Sequence, residues 1–453
     1  MLNHRGRRAH RDQERRDHRD HRGHSGPGDR ELPSGWRRFD RRTTWCAGWL
    51  FAAGWAAAFP LVSGLGPHRG WGVIAATGYL AAAVTVLALP WRRARSWSVA
   101  VALAGALAAP LLWLVLTGQG QSEVAVIERS GGLLLRHGTP YLAEPRTVSE
   151  YTPYLPGMAL FGLPRAVLGT QEWPARLLGD ARLWCAAVFL GCLLATGRRH
   201  RPGLAALTAS PLVALPLCVS GVDLPMTGLC CLALALAARG RAGGAGTALA
   251  VACALKWTAW PAVAVVAALL AVTAGRRAAL RGTAVAVAGA AVLVLPGALR
   301  SPGPMVRQVF AFPTGRGALP TPAGSPLPGR LLADLGPTGW YAAVALLLLG
   351  GLAVAASLVL RPPRDAVGAA DRLALGLCLA FLLAPAGRFG YLALPLVLTL
   401  WARLRTRPDG GGGPADPDRA VRALPRAAPL VPSLSAPRTD PRSEVAPTPW
   451  PAH

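Results

Sequence analysis

A chain of 453 residues that is 52% hydrophobic and only 15% charged is not a soluble globular protein, because such proteins carry charge on roughly a quarter of their residues. The formal charge of +26 does not mark a nucleic-acid binder, since the arginines fall in an N-terminal head and in short loops between apolar runs. Runs such as Val99 to Leu116 and Ala342 to Leu360 are long enough to cross a hydrocarbon core of about 30 Å. Backbone groups in hydrocarbon need internal partners, so these runs must be helices. The fold class expected is therefore all-α, a polytopic transmembrane bundle of about twelve crossings between disordered termini.

The head, residues 1–42, mixes Arg, His and Asp with almost no large apolar residue. It cannot bury a core and is expected to be disordered and cytoplasmic. It lacks the layout of a cleaved signal peptide. Its five histidines (His4, His10, His18, His21, His24) sit in a basic context that does not favour a metal ion. The transmembrane domain covers 43–404, with crossings beginning near Thr44, Trp71, Ser98, Ala181, Gly203, Leu224, Ala245, Trp260, Gly282, Thr338, Asp371 and Tyr391. The tail, 405–453, is rich in Pro, Gly, Arg and Ala, with four glycines at Gly410 to Gly413. That is linker composition, and it is also placed in the cytoplasm. The eight cysteines all lie in apolar runs without a C-x-x-C pair, so they read as small core residues rather than as disulfides or ligands.

Cytoplasmic loops near span ends are enriched in Lys and Arg. The basic loops are Trp91–Ser96, Gly197–Pro202, Arg239–Gly243, Gly275–Gly282 and Arg361–Asp365. With the head inside, all five fall inside only if the apolar stretch Gly244 to Ala274 is two helices. It carries Lys256 and Pro261, and a proline within a membrane helix marks such a break. A split near Trp257–Pro261 is therefore expected. Two long segments, 118–179 and 301–337, then face outside. The apolar piece Leu155 to Leu168 in the first is too short to span and reads as a re-entrant or interfacial helix. No internal repeat is evident.

The outward segments hold the candidate site residues. Glu123 sits just beyond the third span, at the start of an amphipathic stretch with Val124, Val126, Ile127 and Leu133 to Leu135. A carboxylate there could take a proton from an acceptor hydroxyl, or be a solvated loop acid. Tyr141, Tyr151 and Tyr154 lie near prolines, and can anchor at the interface or stack on a sugar. Asp223 and Lys256 are ionisable groups among apolar spans, which mark functional sites by default. They also fit a structural ion pair. Lys256 is the only lysine in the chain, and an ammonium there suits a phosphate. Arg388, with Tyr391, lies in a short outer turn, where an arginine opposes the positive-inside trend and calls for an anion partner or snorkels to headgroups. Arg307, Arg316 and Arg330 are weaker candidates. Neither a P-loop nor G-x-S-x-G nor H-E-x-x-H is present.

The sequence of motifs resembles a known group. An acidic residue after an early span is followed by GTPY (Gly138–Tyr141), YTPYLPG (Tyr151–Gly157), GVDLP (Gly221–Pro225), ALKWTAWP (Ala254–Pro261) and RFGYLALP (Arg388–Pro395). This is similar to actinobacterial membrane glycosyltransferases of the GT-C fold, in particular polyprenol-phosphate-mannose-dependent α-mannosyltransferases, over about Thr44 to Leu404. The resemblance implies an inverting transfer of a mannose-type sugar from a polyprenyl-phosphate donor to a lipid or glycan acceptor at the outer face of the cell membrane. It gives Glu123 the role of general base, with Glu128 as fallback. The family more often has Asp at that place. Lys256 and Arg388 would hold the donor phosphate, and Asp223, Tyr141, Tyr151, Tyr154 and Tyr391 would contact substrate. With these cations at the leaving group, no metal or other cofactor is called for, and the partners are membrane lipids rather than nucleic acid. A transporter or flippase for a lipid-linked or amphipathic substrate, and a non-catalytic scaffold, are the alternatives.

Overall fold

Apolar runs have one way to satisfy their backbone in hydrocarbon, and here they fold as helices. The computed structural model describes residues 34–197 and 201–406, with side chains over 41–405, so expectations for the head before Ser34 and the tail beyond Thr406 lie outside the described residues. Helix α1 spans Ser34–Val62 and so begins within the stretch expected as head. It forms a group with α2 (Gly66–Ala88) and α3 (Trp91–Leu116). Pro110 lies inside α3, and a proline takes a donor from the carbonyl four residues earlier. The helix widens there into a π turn, Leu103–Ala108. The Ala106 carbonyl accepts instead from the Trp71 indole at 3.0 Å. Within this turn α2 and α3 cross backbone to backbone, Gly78 against Gly105.

After α3 come α4 (Ser122–His137), the 3₁₀ and helical turns 156–168, and a short helix Trp173–Gly179 bent against α5 (Ala181–Ala195). Then follow α6 (Arg201–Ala209), α7 (Pro211–Val219), α8 (Leu224–Ala237), α9 (Ala242–Leu255), α10 (Pro261–Thr273), α11 (Arg276–Arg300), α12 (Pro337–Leu360), α13 (Ala366–Leu383) and α14 (Ala393–Thr406). Among the described residues there is no strand, only a single bridge between Gly324 and Gly387.

Every expected crossing starts in or beside a helix, but the helix lengths do not establish twelve. Six helices are long and apolar enough to cross a membrane, or eight if the bent pairs Trp173–Gly179 with α5 (45°) and α6 with α7 (62°) each make one span. Helices α8, α9, α10 and α14 have 14, 14, 13 and 14 residues. At about 1.5 Å per residue each is roughly 20 Å long, short of a hydrocarbon core of about 30 Å. The long helices turn apolar side chains outward. Only 11% of the apolar stretch of α12 is buried, and Leu348, Leu352 and Val359 stand exposed. So large an apolar surface suits lipid better than water, and the described residues are all-helical with six to eight candidate membrane spans.

The expected break at Lys256 is present. Helix α9 ends at Leu255, Lys256 is extended (φ −153°, ψ 137°), and Trp257–Ala259 make a 3₁₀ turn into α10. The packing shows that the chain reverses there. Ala242, Gly246 and Ala250 of α9 meet Gly282, Val285 and Gly289 of α11 in the same order, so these two helices are parallel. A straight helix through Lys256 would have made α11 antiparallel to it. Helix α10 returns between them, and Thr273 at its end donates to the Ala237 carbonyl at the end of α8 (3.0 Å).

The basic loops gather at one end of the bundle. Arg42 donates to the Val86 and Leu89 carbonyls at 2.9 and 3.0 Å, Arg239 donates to the Thr196 carbonyl, and Arg403 pairs with Asp371 at 2.6 Å. Helix α6 packs on both the first turns of α3 and on α14, joining the two halves. The turns after α1, α3, α7, α9, α11 and α13 lie at the opposite end. The cysteines sit in the core as expected, seven buried and Cys378 half-buried.

A Cβ on Gly246 would lie 2.5 Å from the Gly282 carbonyl oxygen and 2.8 Å from Val285 Cβ. Gly246→Ala is expected to cost about 1–3 kcal/mol by overpacking, and to lower the thermal unfolding midpoint in detergent. Gly48→Ala, with open space around it, should leave the midpoint unchanged or raise it. Equal midpoints for the two variants would contradict the close α9–α11 approach.

Candidate functional site

The end opposite the basic loops carries a polar cluster built from four turns. The first follows α3. Gln121 donates its N–H to the Val219 carbonyl at 2.9 Å, and Arg182 donates to the Gln119 and Cys218 carbonyls at 2.9 and 2.8 Å. Arg182 is itself buried and held by both Asp180 oxygens, at 2.9 and 2.7 Å. This clamp fixes the start of α4, so Glu123 enters in the first helical turn, where a negative charge is favoured.

The second turn follows α7. Gly221 takes the left-handed φ of +72°, closing α7 onto the Pro216 carbonyl and starting α8 at Leu224. Asp223 occupies the N-cap position without capping the helix, and its carboxylate faces Lys256 instead. The third is the reversal at Lys256. Leu155 donates to the Leu255 carbonyl at 3.1 Å, and a Cβ on Gly157 would lie 2.8 Å from the Ala254 carbonyl oxygen. Only a glycine lets the YLPG segment lie this close, and that contact brings Tyr154 beside Lys256. The fourth is the turn Arg388–Leu392 before α14, tied to the second long loop by Gly387 donating to Ala323 and Ser325 donating to Gly387, both at 3.0 Å.

Together these turns join most of the expected residues. Arg388 donates to Glu123, whose side chain is 16% exposed, and the Ser122 hydroxyl donates to the other Glu123 oxygen at 3.3 Å. Lys256 Nζ lies 2.7 Å from Asp223 Oδ1, 4.9 Å from the centre of the Tyr391 ring and 5.7 Å from that of Tyr154. A cation over an aromatic face in a desolvated site gains on the order of 1–2 kcal/mol. A cavity of about 50 Å³ opens among Asp223, Lys256, Thr258, Phe381, Tyr391 and Leu394. It has room for water but not for a sugar ring, and both cations are occupied by carboxylates.

Three expected residues are placed elsewhere. Glu128, the fallback base, stands on another face of α4. It accepts from Arg165 at 3.1 Å and from the Ala181 N–H at 3.3 Å, binding α4 to the turns before α5. Burial pushes its carboxyl above the usual carboxylate range, against the opposing pull of Arg165 and the Ala181 N–H. Tyr141 is buried and donates to the Tyr154 carbonyl at 2.9 Å. Tyr151 stacks on Phe312 with ring centres 4.2 Å apart. These two tyrosines brace the Tyr154 segment rather than face the cluster. The weaker candidates are also engaged: Arg307 with the Ala143 carbonyl, Arg316 over Trp340, and Arg330 with Asp334.

Sequence reasoning missed His68, Gln121, Arg182 and Gln308. A His68 ring nitrogen lies 2.6 Å from the amide of Gln121, two residues before Glu123. Buried Gln308 accepts from the Thr152 N–H at 3.0 Å and donates to the Leu142 carbonyl at 2.6 Å. Asp180 and Arg182 were findable by the same rule that marked Asp223 and Lys256, charge at the edge of an apolar run. His68 and Gln308 carry no such signal.

Lys256 and Asp223 are 13% and 32% exposed, so each loses its counter-charge in a partly dry setting when the other is removed. Lys256→Met and Asp223→Asn are each expected to cost about 1–3 kcal/mol, read as a lowered unfolding midpoint. The double variant should recover much of the loss. Strictly additive losses would show that the pair contributes no coupling. Comparison of the chain with protein-family models, with curated proteins and with solved structures finds no match.

Proposed function

We propose that this chain is an integral membrane glycosyltransferase that moves a sugar of mannose type from a polyprenyl-phosphate donor to a lipid or glycan acceptor on the outer face of the cell membrane. The observation that carries the reading is the meeting of Glu123, Arg388 and Lys256 at the end of the bundle opposite the basic loops. One carboxylate beside two cations is the set that an inverting displacement at a sugar phosphate needs. Glu123 takes the proton from an acceptor hydroxyl as its oxygen bonds to C1 of the sugar. The bond from C1 to the phosphate oxygen breaks, and the polyprenyl phosphate leaves with the electron pair. Lys256 and Arg388 stabilise the charge it carries away. Asp223 holds the Lys256 ammonium in place, while Tyr154 and Tyr391 wall the site.

The positive-inside rule puts the basic end in the cytoplasm, with both termini there and the cluster outside. In this reading the full count is twelve crossings. Helices α8 and α9 are largely enclosed by protein, so they need not match the bilayer thickness as a lipid-facing helix must. A lipid-borne donor is supported by an apolar groove of about 570 Å³ among Leu160, Val167, Leu168, Trp184, Val188 and Leu255. Leu255 directly precedes Lys256, so a chain in the groove would bring its head toward the cation.

In membranes supplied with polyprenyl-phosphate mannose and a lipid acceptor, Glu123→Gln is expected to lower transfer by roughly 10²- to 10⁴-fold while the protein accumulates normally. Glu128→Gln should keep transfer within a few fold. Full activity in the Glu123 variant sinks the base assignment. Substrate uptake by vesicles containing the wild-type protein, without any glycosyl transfer, would favour a transporter.

A further inference from the structure

The basic end holds a second polar feature, independent of the cluster above. A concavity of about 530 Å³ lies between the loop joining α8 to α9 and the turn joining α10 to α11. Arg241, Arg277 and Arg281 line it, and no carboxylate does. At the same end Arg42 and Arg239 are satisfied by carbonyls, and Arg403 by Asp371. Among the described residues, the guanidinium groups of Arg241, Arg277 and Arg281 have neither an ion-pair nor a hydrogen-bond partner. Three cations lining one hollow make its potential strongly positive, which attracts an anion.

The backbone around the hollow adds to this. Helices α9 and α11 are parallel, and both begin on it, with no side-chain cap at either. Their first-turn N–H groups and dipoles therefore favour negative charge at the same place. Gly243 and Gly244 in the first turn of α9 leave their amides uncovered, and a Cβ on Gly243 would sit 4.0 Å from an Arg281 terminal nitrogen. Guanidinium forks match phosphate oxygens in pairs. The turn lies where α11, itself long enough to span, starts at Arg276. That is the level at which headgroups sit, and basic pockets between membrane helices at that level bind them.

We propose that this hollow is a binding site for a phosphate group, supplied by the headgroup of an anionic phospholipid. The test uses full-length protein in neutral detergent. It is incubated with equal amounts of phosphatidylglycerol and phosphatidylcholine, and retained lipid is counted by native mass spectrometry. Wild type should retain phosphatidylglycerol selectively. Arg241→Gln/Arg277→Gln/Arg281→Gln should lose about tenfold or more of that retention, since each cation near such a surface contributes on the order of 1 kcal/mol. Arg92→Gln/Arg93→Gln/Arg361→Gln removes the same charge from other loops of this end and should stay near wild type. Equal loss in the two triples would mean diffuse attraction to a basic face and would overturn the site.

A second variant guards against misfolding. Gly243→Asp has space for its side chain and adds a carboxylate where a helix start favours one. It should keep or raise the unfolding midpoint yet abolish the retention, by pairing with the arginines itself. Retention unchanged in that variant also overturns the proposal. Displacement of the lipid by inorganic phosphate would support the phosphate site and overturn the headgroup as its source.

Discussion

An ammonium cannot rest in hydrocarbon without a partner, and the rest of this fold is arranged around that constraint at Lys256. The apolar stretch from Gly244 to Ala274 has enough length for a single span. Lys256 falls in its middle, where a charge would cost several kcal/mol. Reversing the chain there moves the ammonium to an end of the bundle, where Asp223 and two aromatic rings receive it. The reversal also makes α9 and α11 parallel, which demands the glycine contacts of Gly246, Gly282 and Gly289. It brings the loops after α8 and α10 to the same end, and so builds the hollow lined by Arg241, Arg277 and Arg281. One costly side chain thus fixes a helix direction, a polar cluster at one end and an arginine cluster at the other.

How much of this was legible follows from where the charges lie. Lys256, Asp223 and Arg388 stand out against apolar neighbours, so their shared end could be read from loop charge alone. The break at Lys256 was legible because it alone keeps the basic loops together. The closing of individual helices was less so: composition does not report that Gly221 and Gly240 take left-handed φ values of +72° and +70° just after α7 and α8. Nor was the π turn before Pro110, because the Ala106 carbonyl finds its donor in Trp71, thirty-five residues away. The tyrosines show the same limit. Tyr141, Tyr151 and Tyr154 look alike in sequence, yet only Tyr154 faces Lys256, because the Leu155–Leu255 hydrogen bond and bare Gly157 set which ring points in.

The cluster is also braced from positions outside it. Arg182 spends its donors on Asp180 and on the carbonyls of Gln119 and Cys218. It thereby ties the start of α4 to the start of α5 and the end of α7. Glu128 ties the next turns of α4 to the segment before α5. Glu123 hangs from the first turn of a helix held at both faces, so its backbone is fixed by the fold independently of the pair with Arg388. In the proposed transfer that distinction matters, because a base anchored only by its counter-ion would be lost when the counter-ion moves.

The two ends differ in how their cations are balanced, and the difference bears on what each can bind. At the basic end the arginines of the hollow lie open to water, which solvates a lone guanidinium at little cost. An incoming phosphate there competes only with solvent. At the opposite end Lys256 and Arg388 are partly buried and already paired with Asp223 and Glu123. A phosphate arriving there must replace a carboxylate at each cation, and gains only the difference between two ion pairs. In the proposed transfer that exchange serves the chemistry. A carboxylate held by a guanidinium is a poor base, and a donor phosphate that draws Arg388 away leaves Glu123 free next to the reacting sugar. Proton abstraction then becomes available when the donor is in place and not before, and the activated carboxylate is never exposed to an empty site.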